Sequence, residues 1–182
     1  MEKVGAYGLQ VEALTSVYQA LARCIVYQQL TAKAAATIYA RLTALGAQGL
    51  PTPTEVLQMN DSTLRGIGLS GAKTRALTDL AQRQEQGLLP SVIEASGLSD
   101  DTLIERLTTV RGIGPWSVQM LLMFRLGRRD VWPTTDYGVQ KAYQKVFRKK
   151  SLPTPRELLL LGERFRPQRT MAAWYLWRAL DD

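Results

Sequence analysis

The sequence predicts an all-α fold of about ten short helices. Three observations lead there. Apolar residues recur every three or four positions, as in Leu14, Val17, Tyr18, Leu21 and Ile25, which is the period of an amphipathic helix. Ser and Thr residues stand ahead of such stretches, where helix N-caps belong. No segment alternates apolar and polar residues over the length of a strand.

Each element follows in order. The Leu14–Ile25 stripe is the first helix. Thr31 caps a second that runs through Ala34-Ala35-Ala36 to Leu42. Pro51-Thr52-Pro53-Thr54 breaks the chain, and Thr54 is the expected cap of a short helix. Another starts at Ser70, passes Leu80, and stops at Gly87 and Pro90. Ser99 caps Asp100 to Thr108, with Asp100 and Asp101 matched to the helix dipole. Val110-Arg111-Gly112-Ile113-Gly114 is a glycine-rich turn, and Pro115 takes the first helical position of the segment carrying Val118, Leu121, Leu122 and Phe124. Thr135 is the expected cap of a helix from Asp136 to Phe147, and Thr154 and Pro167 open the last two.

Composition narrows the function classes. The 182 residues suffice for one compact domain or two small lobes sharing a core, with 46% hydrophobic and 21% charged residues. No apolar run reaches the roughly 20 residues that span a bilayer. Met1-Glu2-Lys3-Val4-Gly5 lacks the apolar stretch of a signal peptide. A cytoplasmic location with no membrane partner is expected, nucleoid-associated if the source is a bacterium. The single cysteine, Cys24, excludes an internal disulfide, a four-cysteine iron–sulfur cluster and a cysteine-rich zinc site. Cys24 lies in Leu21-Ala22-Arg23-Cys24-Ile25-Val26 and reads as a small buried hydrophobe. There is no histidine, which removes Ser-His-Asp and Cys-His catalysis together with the commonest metal ligand. An enzyme built from this chain works with carboxylates, Lys, Tyr or backbone groups. The net charge of +7 makes a polyanion the default partner, nucleic acid first.

The chemistry-bearing segment begins at Leu107-Thr108-Thr109-Val110-Arg111-Gly112-Ile113-Gly114-Pro115-Trp116. Two helices meet at Gly112-Ile113-Gly114, the shape of a helix-hairpin-helix. Glycines let the backbone amides point outward with no side chain in the way. Those amides, with the positive end of the following helix, form an anion site that suits a phosphodiester without base contacts. Carbonyls around Val110 and Gly112 offer a seat for a structural monovalent cation. Gly-x-Gly alone reads as a plain interhelical turn; the apolar flanks Leu107 and Val110 favour the hairpin.

Further along stands Asp130-Val131-Trp132-Pro133-Thr134-Thr135-Asp136-Tyr137. With this segment the chain resembles the helix-hairpin-helix (HhH-GPD) DNA glycosylase superfamily, in which such a hairpin is followed at this distance by a Pro-x-x-Asp element. Two more segments extend the resemblance. Tyr27-Gln28-Gln29-Leu30-Thr31 is similar to the family's loop between its first two helices. Gly68-Leu69-Ser70-Gly71-Ala72-Lys73 is similar to a turn of the 3-methyladenine glycosylase II (AlkA-type) branch. The resemblance covers about Leu14 to Trp177 and implies two helical lobes around a central cleft, approximately residues 30–115 and residues 1–29 plus 116–182. It also implies no N-terminal β domain in this chain.

The family's variants are sorted by single residues. Bifunctional members carry a Schiff-base Lys two positions after the second hairpin glycine. Trp116 occupies that position, so the resemblance implies a monofunctional enzyme that leaves an abasic site. No iron–sulfur cluster or zinc is implied. Met120 stands where the AlkA-type pocket has an aromatic residue, which leaves the substrate range open.

The resemblance implies excision of alkylated purines from damaged duplex DNA by a protein acting as a monomer. Asp136 is the expected catalytic carboxylate; without the family pattern it would read as a first-turn helix residue. Trp116, Trp132, Met120, Tyr27 and Tyr137 are candidates for the base pocket, while Trp174, Tyr175 and Trp177 read better as core. Gln28, Gln29, Leu30 and Thr31 form the candidate plug for the gap left by a flipped base, Gln29 first; loop-capping by the two glutamines is an equal reading. Arg111, Gly112, Ile113, Gly114, Lys73 and Arg75 are the candidate phosphate contacts. Two alternatives stand beside this: a non-catalytic helix-hairpin-helix DNA-binding or damage-sensing module, and a glycosylase for a different lesion.

Overall fold

The computed structural model describes residues 5–180, so Met1-Glu2-Lys3-Val4 of the expected leaderless N-terminus lie outside it. The described residues form α1 (Val17–Tyr27), α2 (Ala32–Thr43), α3 (Pro53–Gln58), α4 (Asp61–Gly66), α5 (Gly71–Glu85), α6 (Val92–Gly97), α7 (Asp100–Leu107), α8 (Pro115–Phe124), α9 (Tyr137–Val146), α10 (Pro155–Gly162) and α11 (Arg169–Arg178). A 3-10 turn, Glu163–Phe165, joins the last two. Among the described residues there is no strand, only an isolated bridge between Gly46 and Gly49. The all-α expectation holds. No described helix is long and apolar enough to cross a membrane.

Polar side chains set most of the helix starts. Thr31, Ser70, Ser99 and Thr154 accept the capping amide as the sequence predicts. Two caps fall elsewhere. α3 is capped by Thr52, not Thr54, because Glu55 closes a capping box on the Thr52 amide at 2.7 Å and Pro53 fits the first helical position. α9 is capped by Asp136, not Thr135, through a 2.7 Å bond from the Val139 amide to Asp136 Oδ1. Pro167 stands just ahead of α11, whose N-cap is Gln168.

The chain divides into two compact units, Leu14–Val118 and a second made of the N-terminal segment up to Ala13 with the chain from Gln119 onward. The first boundary therefore lies at Leu14 and not near residue 30. The reason is the apolar face of α1: Leu21, Ala22 and Ile25 are fully buried, and the helix packs on α2 and α5. In this unit Leu42, Leu64, Leu77, Leu80, Leu103 and Leu107 complete the core, from which α5 reaches α1, α3 and α4. Burying each such leucine stabilises the unit by about 2 kcal/mol relative to exposure. The second unit packs α9 on α11 around Leu122, Met123, Val139, Tyr143 and Leu158.

Candidate active site and nucleic-acid interface

In the Leu14–Val118 unit, the bend between α7 and α8 is built by burial and backbone freedom. Val110 and Ile113 are buried, and the Ile113 amide donates to the Val110 carbonyl at 3.1 Å. Gly112 has φ +78°, a left-handed conformation, and a Cβ there would sit 3.3 Å from the Ala76 methyl of α5. The Gly112 and Gly114 amides donate to no acceptor among the described residues, so both can meet an external anion. The Arg111 amide is engaged: it donates to Asp79 Oδ2 at 2.8 Å, and its side chain is left exposed. Asp79 Oδ2 also receives Arg83 Nε at 2.8 Å, and Arg83 Nη1 donates to Thr109 Oγ1 at 3.1 Å. Val110 O accepts Ile113 N and Gly112 O accepts Gln28 Nε2 at 2.9 Å; each oxygen keeps a second lone pair, so the pair has the donor chemistry for a weakly bound monovalent ion.

The loop after α1 lies against this bend. Gln28 Nε2 reaches the Gly112 carbonyl at 2.9 Å and Ser117 Oγ at 3.5 Å, so Gln28 is a tie between loop and hairpin, the capping role. Thr31 is occupied as the cap of α2. Gln29 and Leu30 remain exposed, Gln29 at φ +56°, an uncommon conformation for a residue with a Cβ. Lys73 has a role that the sequence does not show. Its ammonium donates to the carbonyls of Val26 at 2.7 Å and Gln28 at 2.8 Å, so it holds the end of α1. Burial pulls its pKa below the ordinary lysine value. Arg75 is exposed. Cys24 is half-buried; burial pushes its thiol up, with hydrogen bonds to Ser117 and Gln28 acting in the opposite sense, which suits an inert residue.

In the other unit, the segment leading to Asp136 is strapped on several sides. Asp130 receives Arg169 Nε at 2.7 Å, Arg169 Nη2 at 2.9 Å and Arg166 Nη1 at 2.9 Å. Although burial pushes the Asp130 carboxyl up, the Arg169 and Arg166 contacts outweigh it and hold the group below the usual carboxylate value. Thr170 Oγ1 donates to the Arg128 carbonyl at 2.7 Å and accepts the Val131 amide at 3.1 Å. Trp132 is buried, donates its indole N–H to the Leu158 carbonyl at 2.8 Å, and packs on Phe165 and on Gly162, where a Cβ would collide with it. Only 4% of the residue is exposed, and its polar edge is used. Trp132 is a core residue and not part of a base pocket.

The strapped segment ends on a single half-buried carboxylate. Asp136 Oδ1 accepts the Val139 amide at 2.7 Å and Trp177 Nε1 at 2.9 Å. Trp177 in turn stacks on Phe124 with ring centroids 6.0 Å apart. Gly138 is required beside it, since a Cβ would come within 3.0 Å of Asp136 Oδ1 and 3.1 Å of the Trp177 ring. Sequence reading assigned Trp177 to the core and missed its bond to Asp136; nothing local marks it, since the two residues lie 41 positions apart. Trp174 and Tyr175 do pack internally, with each other and with Tyr7.

The remaining pocket candidates differ in exposure. Trp116 is 41% and Tyr137 63% exposed, and Met120 is half-buried. Tyr27 meets Tyr39 edge-on at 6.1 Å, with the Arg23 guanidinium 5.0 Å over its ring.

A glycine bend with outward amides, an exposed loop tied to it, and a carboxylate fixed at a helix N-terminus are the parts that the motif resemblance implies. The model of the HhH-GPD superfamily base excision DNA repair proteins matches residues 22–167. The chain belongs to the HhH-GPD superfamily. Among curated relatives of this family, DNA-3-methyladenine glycosylase 1 of Schizosaccharomyces pombe is 41% identical over 162 residues, 88% of this chain and 71% of the relative. The putative DNA-3-methyladenine glycosylase YfjP of Bacillus subtilis is 32% identical over 172 residues, 91% of this chain and 60% of the relative. Among solved HhH-GPD structures, S. pombe 3-methyladenine DNA glycosylase (Mag1) in complex with abasic DNA superposes with a TM-score of 0.87 at 38% identity, covering 97% of this chain and 87% of that one.

Proposed function

We propose that this HhH-GPD protein is a monofunctional DNA glycosylase that excises alkylated purines from duplex DNA and leaves an abasic site. The observation that carries the proposal is the Asp136 carboxylate, fixed by the Val139 amide and the Trp177 indole while Trp116 stands at the hairpin position where a lyase would need an amine.

Alkylation at N3 or N7 gives the purine a positive charge and makes it a good leaving group, so the N-glycosidic bond breaks without strong acid assistance. That suits a chain with no histidine. As the bond breaks, positive charge develops on the sugar. Asp136 stabilises this charge and orients or deprotonates the attacking water; the hydroxyl adds to the anomeric carbon and the base departs with the bonding pair. A carboxylate held at two points needs no reorganisation when the charge appears.

The target base must leave the stack first. Gln29 and Leu30 fill the gap, because Gln28 and Thr31 are already engaged. The Gly112 and Gly114 amides and the Arg111 side chain grip phosphates, and exposed Arg75, the neighbour of Ala76 on α5, adds positive charge. Within the Leu14–Val118 unit, exposed Trp116 offers a face on which an electron-poor base stacks; within the other unit, exposed Tyr137 offers one. A monovalent ion, where bound, would sit on the Val110 and Gly112 carbonyls and add positive charge for the phosphate. The protein acts as a monomer in the compartment that holds the genome.

An excision assay over a panel of modified bases in duplex DNA tests the proposal. Release of 3-methyladenine and 7-methylguanine with alkali-labile sites left behind is expected. Binding without release would make the chain a damage-sensing module, and release confined to oxidised or mismatched bases would make it a glycosylase for another lesion.

A further inference from the structure

We infer that one side of α5 is the gauge that sets the plug loop against the phosphate-gripping hairpin, with Lys73 and Asp79 as positioning residues. This rests on the function proposed above. Lys73, Ala76 and Asp79 follow one another at three-residue steps, which keeps them on one side of the helix. Lys73 holds the Val26 and Gln28 carbonyls. Ala76 lies under Gly112. Asp79 takes the Arg111 amide. Loop and hairpin are thus attached to successive turns of the same helix, whose Leu77, Leu80 and Ala81 anchor it in the core. The Gln28 side chain closes the circuit by bonding the loop directly to the Gly112 carbonyl.

The chemistry explains why a cation is needed. α1 has no basic residue in its last turn, so the carbonyls at its end lack the usual compensation. Lys73 supplies it from another helix. Its two acceptors, the Val26 and Gln28 carbonyls, lie just before Gln29, the residue in the positive-φ conformation. With the ammonium gone, the Val26 and Gln28 carbonyls lose their partner and the exposed tip of the loop loses its fixed height above the bend. Arg111, Gly112 and Gly114 do not depend on Lys73 in the same way, because Asp79 and Ala76 hold that side.

The test uses the full chain and a duplex with a tetrahydrofuran abasic analogue opposite 2-aminopurine, whose fluorescence rises when a side chain enters the gap. In Lys73→Met, the fluorescence rise should fall by at least about half and single-turnover excision at saturating enzyme by about tenfold to 100-fold, the upper figure being the scale of a group misplaced by about 1 Å. Affinity for undamaged duplex and its salt slope should stay as in the wild type. In a Gln29→Ala/Leu30→Ala background, Lys73→Met should cost less than about twofold more, because both changes act through one loop. Asp79→Asn should instead weaken undamaged-duplex binding. Three results overturn the inference: a wild-type fluorescence response in folded Lys73→Met, full additivity with the loop variant, or a salt slope lowered by about one, which marks a direct phosphate contact. Lys73→Gln keeps an uncharged N–H donor group and should fall between; failure of both variants to fold would overturn the inference by making Lys73 a stability residue. A wild-type chain that excises no alkylpurine yet shows the fluorescence rise fails the proposed function and leaves the gauge standing.

Discussion

In the Leu14–Val118 unit the polar side chains bond to backbone: Lys73 to two carbonyls, Gln28 to one, Asp79 to an amide. What they leave outward is a set of tips, namely Gln29, Leu30, Arg111 and the Gly112 and Gly114 amides. In the unit from Gln119 onward the side chains converge. Asp130, Thr170, Trp132 and Trp177 fasten a single segment that ends on Asp136. A polymer is gripped by many weak contacts, so shaping the backbone is enough. A group that acts on one bond must be fixed to a fraction of an ångström, which takes several directional bonds.

Four substitutions separate the roles of the two units. Asp136→Asn should have the largest effect. Excision should fall at least about 100-fold, the scale of losing one preorganised electrostatic group, while duplex affinity stays within about twofold. Asn caps a helix as well as Asp, so the melting temperature should hold; single-turnover kinetics and a thermal melt check both. Wild-type excision by this variant would remove Asp136 from the mechanism. Next, Asp130→Asn breaks the clamp on Arg169 and Arg166 and should cost about 2 kcal/mol of stability, read by denaturant melts. Trp177→Phe keeps the stacking on Phe124 but removes the N–H to Asp136, and should lower kcat about tenfold with little change in KM. Arg111→Ala should weaken binding by a few fold across all sequences and lower the salt slope by about one. An effect on excision but none on affinity would place Arg111 with the converging residues.

Acid should act on the two units alike and by the smallest margin. Asp130, Glu55, Glu94 and Glu157 all lie below their ordinary carboxylate values. For Asp130, burial acts upward and the Arg169 contacts prevail. The three glutamates are lowered by the amide bonds they accept in helix starts and loops, chiefly Ala47 for Glu55, Ser91 for Glu94 and Thr154 for Glu157. A carboxylate depressed in the folded state contributes stability that is present above its unfolded value and is lost as pH falls through the folded one. Urea midpoints should therefore be flat near neutrality and fall below the ordinary carboxylate range.

Much of the helical frame was legible because its signals are local. Thr31, Ser70, Ser99, Pro115 and Thr154 mark helix starts by chemistry that acts within one turn. Thr54 and Thr135 failed because a neighbour competed: Pro53 and Glu55 favour Thr52, and Asp136 takes the cap ahead of Thr135. The hairpin and Asp136 were legible through the motif resemblance, since their spacing is short. The hold of Lys73 on the end of α1 was not legible because its acceptors lie 47 and 45 residues away. The two tryptophans were exchanged for a related reason. Trp132 and Trp177 carry the same side chain, and what distinguishes them, burial and the partner of the indole N–H, Leu158 O or Asp136 Oδ1, lies far along the chain.

The bond from Trp177 to Asp136 also turns the site into its own optical probe. Indole emission responds to the charge and hydration around its N–H, so a ligand that approaches the carboxylate alters the light this ring gives off. A chain that keeps Trp177 as its sole tryptophan would then follow occupancy of the centre in real time, without a label and before any bond is cut.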